Sequence, residues 1–367
     1  MSESRLHRLS ELGQSVWIDY LSRELLRTGK LERMLDEDAV VGVTSNPSIF
    51  HKALSGNEYD DQLRACLEQL DDPKEIFLRL AEEDVSDACD LLRRVWDAGK
   101  GQDGYVSIEV DPNLANDTDA TIAEARRLHE TIDRPNLHVK IPATKEGLPA
   151  IEEMIAAGRN INVTLIFSLQ RHAEVMEAYI RGIERLLEGG GDPTRVASVA
   201  SFFVSRVDTE TDKRLDETGG HEELKGKLAI ANAKLAYRQY KDAFSGERWE
   251  ALAAKGATKQ RCLWASTSTK NPAYRDVLYV EELIGPETVD TMPEETIDAF
   301  QDHGVVAPTL EQGIDEAERV FEQVAAAGVD YDDVVRTLEE QGVQRFADDF
   351  SKLLDGIRAK HGELAAA

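Results

Sequence analysis

A lysine within an apolar strand pattern is the first residue of this chain whose type and position suggest chemistry. In the segment 136–142 (NLHVKIP), the apolar residues Leu137, Val139 and Ile141 alternate, which places Lys140 on the opposite face of the predicted strand. Lysine is rarely buried, and burial favours its neutral amine, which is a nucleophile toward carbonyl carbon. The position therefore suggests a lysine that forms a Schiff base. A strand-end lysine that reaches solvent or a salt bridge is the alternative that this strand alone leaves open.

Two carboxylates occupy equivalent positions in other strands. Apolar alternation in 105–111 (YVSIEVD) places Glu109 on the polar face, near the end of that strand. The same alternation in 16–20 (VWIDY) places Asp19 on the polar face of the first strand. An amine flanked by two carboxylates is suited to amine–carbonyl chemistry with proton transfer.

Further polar side chains follow the same pattern. They are Asn46 just after strand two, Asn162 and Thr164 on strand five, Ser201 and Phe203 on one face of strand six, and Arg206 in the next loop. Burying such polar groups without partners costs several kcal/mol each, as an order of magnitude. A shared active site at one end of the strands explains all of them, whereas a self-satisfied polar network in the core is the alternative.

Eight short β-rich runs, each followed by a helical or turn segment, must position these residues. The runs are Val16–Tyr20, Val40–Val43, Gly104–Val110, Asn136–Ile141, Asn160–Phe167, Val196–Val204, Arg261–Ala265 and Glu287–Asp290. Strands alternating with helices predict a parallel sheet, and eight such units predict an α/β fold of the (β/α)8 (TIM) barrel type. An open doubly wound sheet is the alternative, but the first strand is not followed by the glycine-rich turn typical of that fold.

The helical segments set the expected organisation of the chain. Periodicity and capping residues predict helices over 117–131, 146–157 and 169–187. We expect a single barrel domain over 1–367, with helical insertions at about 48–100 and 209–259 and C-terminal helices at about 293–360 packed outside the barrel.

Composition restricts the partners and the compartment. The chain has 43 Lys and Arg against 70 Asp and Glu, a net charge of −27, which disfavours nucleic acid and anionic membranes as partners. No apolar run is long enough to span a membrane, and the N-terminus does not resemble a secretory signal, so a cytoplasmic location is expected. The three cysteines lack metal-site spacing and are expected to be reduced thiols.

Four segments together resemble the transaldolase family. They are 44–50 (TSNPSIF), 107–112 (SIEVDP), 139–144 (VKIPAT) and 160–168 (NINVTLIFS), and the similarity extends from about Val16 to Phe300 with a length typical of the longer bacterial subfamily. The resemblance implies a Schiff-base transaldolase of the pentose phosphate pathway that requires neither cofactor nor metal. Such an enzyme moves a dihydroxyacetone unit from sedoheptulose 7-phosphate to glyceraldehyde 3-phosphate, giving erythrose 4-phosphate and fructose 6-phosphate.

The resemblance also implies a role for each candidate residue. Lys140 would form the Schiff base, Asp19 would exchange the proton of the C4 hydroxyl, and Glu109 with Thr164 would shuttle protons through a water. Substrate binding would fall to Asn46 and Asn162 for sugar hydroxyls, Ser201 for the terminal hydroxyl and Arg206 for the phosphate.

Two positions relate the chain to particular members of that family. Phe203 and Glu109 agree with transaldolases. The shorter fructose 6-phosphate aldolases have a tyrosine near the position of Phe203 and tend to have a glutamine at the position of Glu109. After strand seven, better-known members place a second phosphate-binding arginine that this chain lacks, and Lys270 with Ser266 is the predicted substitute.

Other functions remain as alternatives at this point. A fructose 6-phosphate-type aldolase would cleave its ketose without an acceptor aldehyde, and a non-catalytic sugar-phosphate-binding barrel would form no covalent adduct. A helical scaffold is disfavoured by the eight strand-like runs. The expected oligomeric state is a monomer or a homodimer.

Overall fold

The computed structural model describes residues 4–54 and 56–366, except for the side chains of 364–366. Eight parallel strands close into a barrel in the order of the sequence, with the first strand paired to the eighth. The strands are β1 (Gln14–Ile18), β2 (Val40–Thr44), β3 (Tyr105–Glu109), β4 (Leu137–Pro142), β5 (Ile161–Ile166), β6 (Ser198–Phe203), β7 (Arg261–Ala265) and β8 (Thr288–Met292). The predicted (β/α)8 barrel is confirmed, and the open doubly wound sheet is excluded because β1 pairs with β8.

Strand register brings the inward polar residues to one level. Glu109 on β3 lies opposite Lys140 on β4, and Lys140 lies opposite Asn162 on β5. Since the strands are parallel, their carboxyl ends meet at the same mouth of the barrel. The polar positions that alternation picked out therefore become neighbours.

Sixteen α-helices surround or cover the barrel in the described part of the chain. They are α1 (Arg5–Glu11), α2 (Arg23–Arg27), α3 (Lys30–Glu37), α4 (Pro47–Leu54), α5 (Asp60–Leu67), α6 (Pro73–Ala98), α7 (Thr118–Ile132), α8 (Gly147–Ala156), α9 (Leu169–Glu188), α10 (Ser205–Thr218), α11 (Leu228–Ala243), α12 (Gly246–Ala253), α13 (Leu278–Glu282), α14 (Glu294–His303), α15 (Ile314–Ala326) and α16 (Tyr331–Ala366). The three helices predicted in detail correspond to α7, α8 and α9. Asp117 caps α7 by accepting from the amide of Ala120 at 3.0 Å, and Gly158 takes the left-handed conformation (φ 73°) just after α8.

The first strand begins earlier than the apolar pattern predicts. Strand β1 starts at Gln14, whose side-chain amide donates to the carbonyl of Leu283 at 2.7 Å and to Thr288 Oγ1 at 3.1 Å. A polar residue can thus open a buried strand when its amide group is paired. Asp19, predicted inside the strand, lies just beyond its end at the mouth.

The final helix α16 crosses the mouth of the barrel. It packs against α4, α6 and α10, and edge-to-face contacts join Phe77 of α6 to Phe50 of α4 (5.3 Å) and to Phe350 of α16 (5.7 Å). Gly342 allows α16 to approach the end of β5 closely, because a Cβ at this position would lie 3.2 Å from Leu165 Cδ2. The C-terminal segment lies outside the strand cylinder, as expected, yet α16 covers the end where the polar residues converge.

The structure describes the environment of the three cysteines and the character of the helices. Cys66, Cys89 and Cys262 are free and buried, and burial raises the pKa of the Cys89 and Cys262 thiols. None of the helices in the described residues is sufficiently long and apolar to cross a membrane. The cytoplasmic location, the monomeric or homodimeric state and the domain boundaries stay predictions.

Asp290 on β8 is a carboxylate that is buried away from the mouth. Its Oδ1 accepts from Thr267 Oγ1 at 2.8 Å, whereas its Oδ2 has no hydrogen-bond partner among the described residues. Burial raises its pKa to about 7, against about 4 in an unfolded chain. The folded protein therefore binds this proton more tightly than the unfolded chain does. The resulting stabilisation of the fold is complete below about pH 4 and is lost as the pH rises through about 7.

We expect Asp290→Asn to raise the free energy of unfolding at pH 8 by roughly 1–3 kcal/mol, because an amide keeps the acceptor for Thr267 without a buried charge. Near pH 4, where the parent carboxyl is protonated, the two proteins should differ little. Urea unfolding at both pH values measures this difference. Asp355→Asn, at an exposed residue of α16, is the control, and an Asp290→Asn variant with the pH dependence of the parent would contradict the analysis.

Candidate active site

The amine of Lys140 is held near the base of the mouth by two contacts. Its Nζ donates to the carbonyl of Ser45 at 3.0 Å and lies 2.9 Å from Glu109 Oε1. The Lys140 and Glu109 side chains are 7% and 6% exposed. A buried ion pair of this kind costs desolvation that its attraction only partly offsets, so its presence marks a site built for a purpose other than stability.

Glu109 and Thr164 form the wall beside the amine. The Nζ–Oε1 pair is close but not aligned as a hydrogen bond, and neither carboxylate oxygen of Glu109 nor Thr164 Oγ1 has a hydrogen-bond partner among the described residues. Buried polar groups are normally satisfied by protein or water, so this arrangement suits a water bridging Glu109 and Thr164. Burial raises the pKa of Glu109, and the charge of Lys140 opposes that rise.

Asp19 is oriented by two threonines on neighbouring strands. Thr44 Oγ1 donates to Asp19 Oδ1 at 2.7 Å, and the Thr44 and Thr291 hydroxyls lie 2.6 Å apart. Since the single Thr44 proton goes to Asp19, Thr291 is the donor of the second bond. Loss of hydration raises the pKa of Asp19, while the Lys140 charge and the Thr44 hydrogen bond lower it.

Asn46 presents only one end of its amide to the cavity. Its Oδ1 accepts from the backbone amide of Ile49 at 3.1 Å and thereby caps α4. The Nδ2 group remains to donate to a ligand oxygen. The local fold thus determines which hydrogen-bonding role Asn46 can take.

Asn162 and Ser201 are coupled to one another. Ser201 Oγ donates to Asn162 Oδ1 at 2.7 Å, and Asn162 Nδ2 donates to Ser107 Oγ at 3.1 Å. Asn162 is fully buried, whereas Ser201 lines the cavity. Asn162 keeps one N–H and one lone pair outside these two bonds, and Ser201 also has lone pairs free to accept.

The rim opposite α4 is formed where β6 and β7 end. Phe203 lies against Phe167 with ring centroids 5.2 Å apart, and the Arg206 guanidinium lies 5.9 Å from the Phe203 ring. Ser266 adopts a left-handed conformation (φ 58°) and its hydroxyl lies 2.9 Å from that of Ser205 at the start of α10. Strained residues are typical of functional sites, and this one orients the loop that carries Lys270.

One cavity of about 450 Å³ brings most of the predicted site residues together. Its walls include Asp19, Asn46, Lys140, Thr164, Ser201, Phe203, Arg206, Ser266 and Lys270. Of the eleven predicted residues, Glu109 lies behind Lys140 and Asn162 lies beneath Ser201. The roles assigned to all eleven stay predictions.

Several further residues of this cavity were not identified from the sequence, including four from β2, β8 and α16. Thr44 and Thr291 orient Asp19, and alternation within β2 and β8 was a usable signal for both. Arg345 and Phe346 come from α16, and the Phe346 ring lies 6.0 Å from Lys140 Nζ. No local pattern in α16 indicates that this helix crosses the mouth.

Comparisons with known proteins agree with this geometry. The family model described as transaldolase/fructose-6-phosphate aldolase matches residues 16–357. A transaldolase of Frankia alni is 53% identical over 361 residues, covering 97% of each chain. Transaldolases of Acidothermus cellulolyticus and Mycolicibacterium paratuberculosis are 53% and 51% identical over 355 and 362 residues, covering 95–97% of each chain.

Thr44→Val tests the assignment of Asp19 as a base. The hydrogen bond from Thr44 lowers the pKa of Asp19, so its removal should move the acidic limb of the kcat/KM–pH profile to higher pH. Loss of a hydrogen bond to a charged group should also reduce kcat/KM by roughly tenfold or more at neutral pH.

The control is Thr28→Val, at an exposed helix end, which should leave the profile unchanged. An acidic limb that stays in place in Thr44→Val would show that Asp19 does not govern it.

Proposed function

The chain belongs to the transaldolase/fructose-6-phosphate aldolase family and has the activity of a transaldolase, and from this premise we propose how its residues divide the reaction. The enzyme transfers a dihydroxyacetone unit from sedoheptulose 7-phosphate to glyceraldehyde 3-phosphate. The products are erythrose 4-phosphate and fructose 6-phosphate.

Imine formation is assigned to Lys140 and its neighbours. The neutral amine attacks the C2 carbonyl of the ketose, and the carbinolamine then loses water to give a protonated imine. Glu109, 2.9 Å from Nζ, receives and returns protons during these steps, and Thr164 holds the water that connects Glu109 to the carbinolamine. Burial supports this role because a raised carboxyl pKa lies closer to neutrality, where proton transfer is effective in both directions.

Carbon–carbon cleavage is assigned to Asp19. Its carboxylate takes the proton of the C4 hydroxyl, the C3–C4 bond breaks, and the electron pair passes into the protonated imine to form an enamine. In the second half-reaction the enamine attacks the acceptor aldehyde, and Asp19 returns the proton to the new alkoxide. The Thr44 hydrogen bond keeps the carboxylate oriented and supports its charged form.

The enamine must persist until the acceptor arrives. Phe203 and Phe346 both line the cavity, and neither ring can donate a proton to the carbanionic carbon. A phenol in the position of Phe203 would be able to activate a water for that protonation. The apolar rings thus favour transfer to an aldehyde over release of free dihydroxyacetone.

Substrate recognition is assigned to donors around the rim. Asn46 donates through Nδ2 to a sugar hydroxyl, Ser201 accepts from the terminal hydroxyl, and Asn162 supports Ser201 or replaces it in that contact. The phosphate is held by Arg206, together with Lys270 and Ser266, and the start of α10 adds the positive end of its dipole.

A single observation supports this proposal most strongly: a buried amine lies in ion-pair contact with a carboxylate at the base of a cavity. Borohydride reduction in the presence of fructose 6-phosphate should leave a three-carbon adduct on Lys140, mapped by peptide mass spectrometry. Lys140→Arg retains the charge but forms no imine, so it should lose both the adduct and all measurable turnover.

The matched control is Lys234→Arg. Lys234 is comparably buried, 8% against 5% exposed, but it pairs with Glu282 in the helical layer. This variant should keep the adduct. Absence of an adduct from the parent protein, or an adduct on a lysine other than Lys140, would contradict the assignment.

Phe203→Tyr should increase acceptor-free cleavage of fructose 6-phosphate relative to transfer, by roughly tenfold, because the new phenol supplies a route for protonating the enamine. The two activities are measured side by side with and without erythrose 4-phosphate. Phe203→Leu removes the ring without adding a hydroxyl and serves as control. An unchanged ratio in Phe203→Tyr would show that this position does not decide the fate of the enamine.

A further inference from the structure

Because the chain is strongly acidic, binding of a phosphate depends on cations close to the site. At a net charge of −27, the protein as a whole repels sugar phosphates, so a phosphate must be held by cations concentrated at the site. Cationic side chains that line the cavity around the amine include Arg206 from α10, Lys270 from the loop after β7, Arg345 from α16 and Lys52 from α4. The first two were expected from the sequence, whereas Arg345 lies on the C-terminal helix, 75 residues after Lys270 in the chain.

The packing of α16 over the end of the barrel places Arg345 at the rim of the cavity. Gly342, about one turn earlier, lies close to Leu165 and Phe167, since a Cβ there would be 3.2 Å and 3.3 Å from their side chains. Phe346, the next residue, has its ring 6.0 Å from Lys140 Nζ. Consecutive Cα atoms are about 3.8 Å apart, so Arg345 stands immediately beside the residue that covers the reacting amine.

Among the described residues, Arg345 makes only a long ion pair, with Asp349 of the same helix. Its Nε lies 4.0 Å from Asp349 Oδ2 and its side chain is 65% exposed. In contrast, Arg358 on the same helix lies 2.6 Å from Asp355. Arg345 is therefore in position to exchange a weak intrahelical pair for a ligand anion.

The cations at the rim also repel one another. Burial, followed by the charge of Arg345, lowers the pKa of Arg206. Burial and then the charge of Arg206 lower the pKa of Lys270, and Arg345 contributes to the same effect. An anion bound among the three side chains would relieve this repulsion.

We propose that Arg345 is a third phosphate-binding residue, which completes with Arg206 and Lys270 a cradle for the phosphoryl group of the sugar substrates. This inference rests on the proposed function and extends its substrate recognition to the C-terminal helix. A guanidinium offers two parallel donors to a phosphate where the loop after β7 offers only an ammonium. Arg345 then sets the preference of the enzyme for phosphorylated over unphosphorylated aldehydes.

The kinetic test compares two acceptors in the Arg345→Gln variant. We expect KM for glyceraldehyde 3-phosphate to rise by roughly tenfold or more, the range expected for loss of a charge-assisted hydrogen bond. The kcat/KM ratio of glyceraldehyde 3-phosphate to unphosphorylated glyceraldehyde should fall by a similar factor. Arg345→Lys should recover part of that ratio, and Arg358→Gln, distant on the same helix, should keep it.

A binding test independent of turnover uses inorganic phosphate. Calorimetric titration should show that Arg345→Gln weakens phosphate binding by roughly tenfold, while Arg358→Gln binds as the parent does. If both the phosphate affinity and the acceptor ratio of Arg345→Gln stay within twofold of the parent, the assignment of Arg345 is wrong.

Borohydride trapping separates this failure from failure of the proposed function. Arg345→Gln with saturating fructose 6-phosphate should still give the adduct on Lys140, because the altered side chain is not the reacting amine. Absence of the adduct from the parent protein would overturn the function itself, whereas an adduct in all variants with unaltered selectivity would overturn only the role of Arg345.

Discussion

The structure depends on keeping one primary amine out of water without leaving it isolated. Desolvation of an ammonium costs several kcal/mol, as an order of magnitude, unless partners replace the lost water. Lys140 obtains two partners, the carbonyl of Ser45, just after β2, and the carboxylate of Glu109 at the end of the adjacent strand β3. A closed barrel provides this arrangement because eight parallel strands aim their ends at one small space. The reactive group is thereby confined to a position where only a ligand entering the mouth can meet it.

The two carboxylates near the amine differ in their hydrogen-bonding environment. Asp19 receives a hydrogen bond that is itself supported by a second threonine, so its charged form is stabilised and its orientation is restricted. Glu109 has no hydrogen-bonded partner within the described residues apart from its close contact with Lys140, so its oxygens are available to a water or a reacting group. These environments suit Asp19 to the role of an oriented base and Glu109 to that of a proton carrier, as proposed.

Positive charge is placed at the mouth although the molecule as a whole is acidic. The net charge of −27 repels phosphate at long range, whereas Arg206, Lys270 and Arg345 line the rim of the cavity. These cations come from three separate elements, α10, the loop after β7 and α16. Helix α16 also places the ring of Phe346 6.0 Å from the amine of Lys140. A single helix therefore contributes both a cation at the rim and an aromatic ring near the amine.

Local sequence determined the strands, their inward faces and the candidate Schiff-base lysine. Alternation is a short-range property, so Lys140, Glu109 and Asp19 were recognisable as inward residues from five to seven neighbouring positions each. Sequence segments near these residues also sufficed to indicate the family. Only the tertiary structure decided how the polar side chains share their hydrogen bonds: the Asn46 carbonyl oxygen is used by α4, Asn162 is occupied by Ser107 and Ser201, and Asp19 depends on Thr44. It also decided that α16 crosses the mouth, since the seating of Gly342 on Leu165 and Phe167 joins residues far apart in the chain. Such contacts depend on packing between distant elements, which no periodicity within either element encodes.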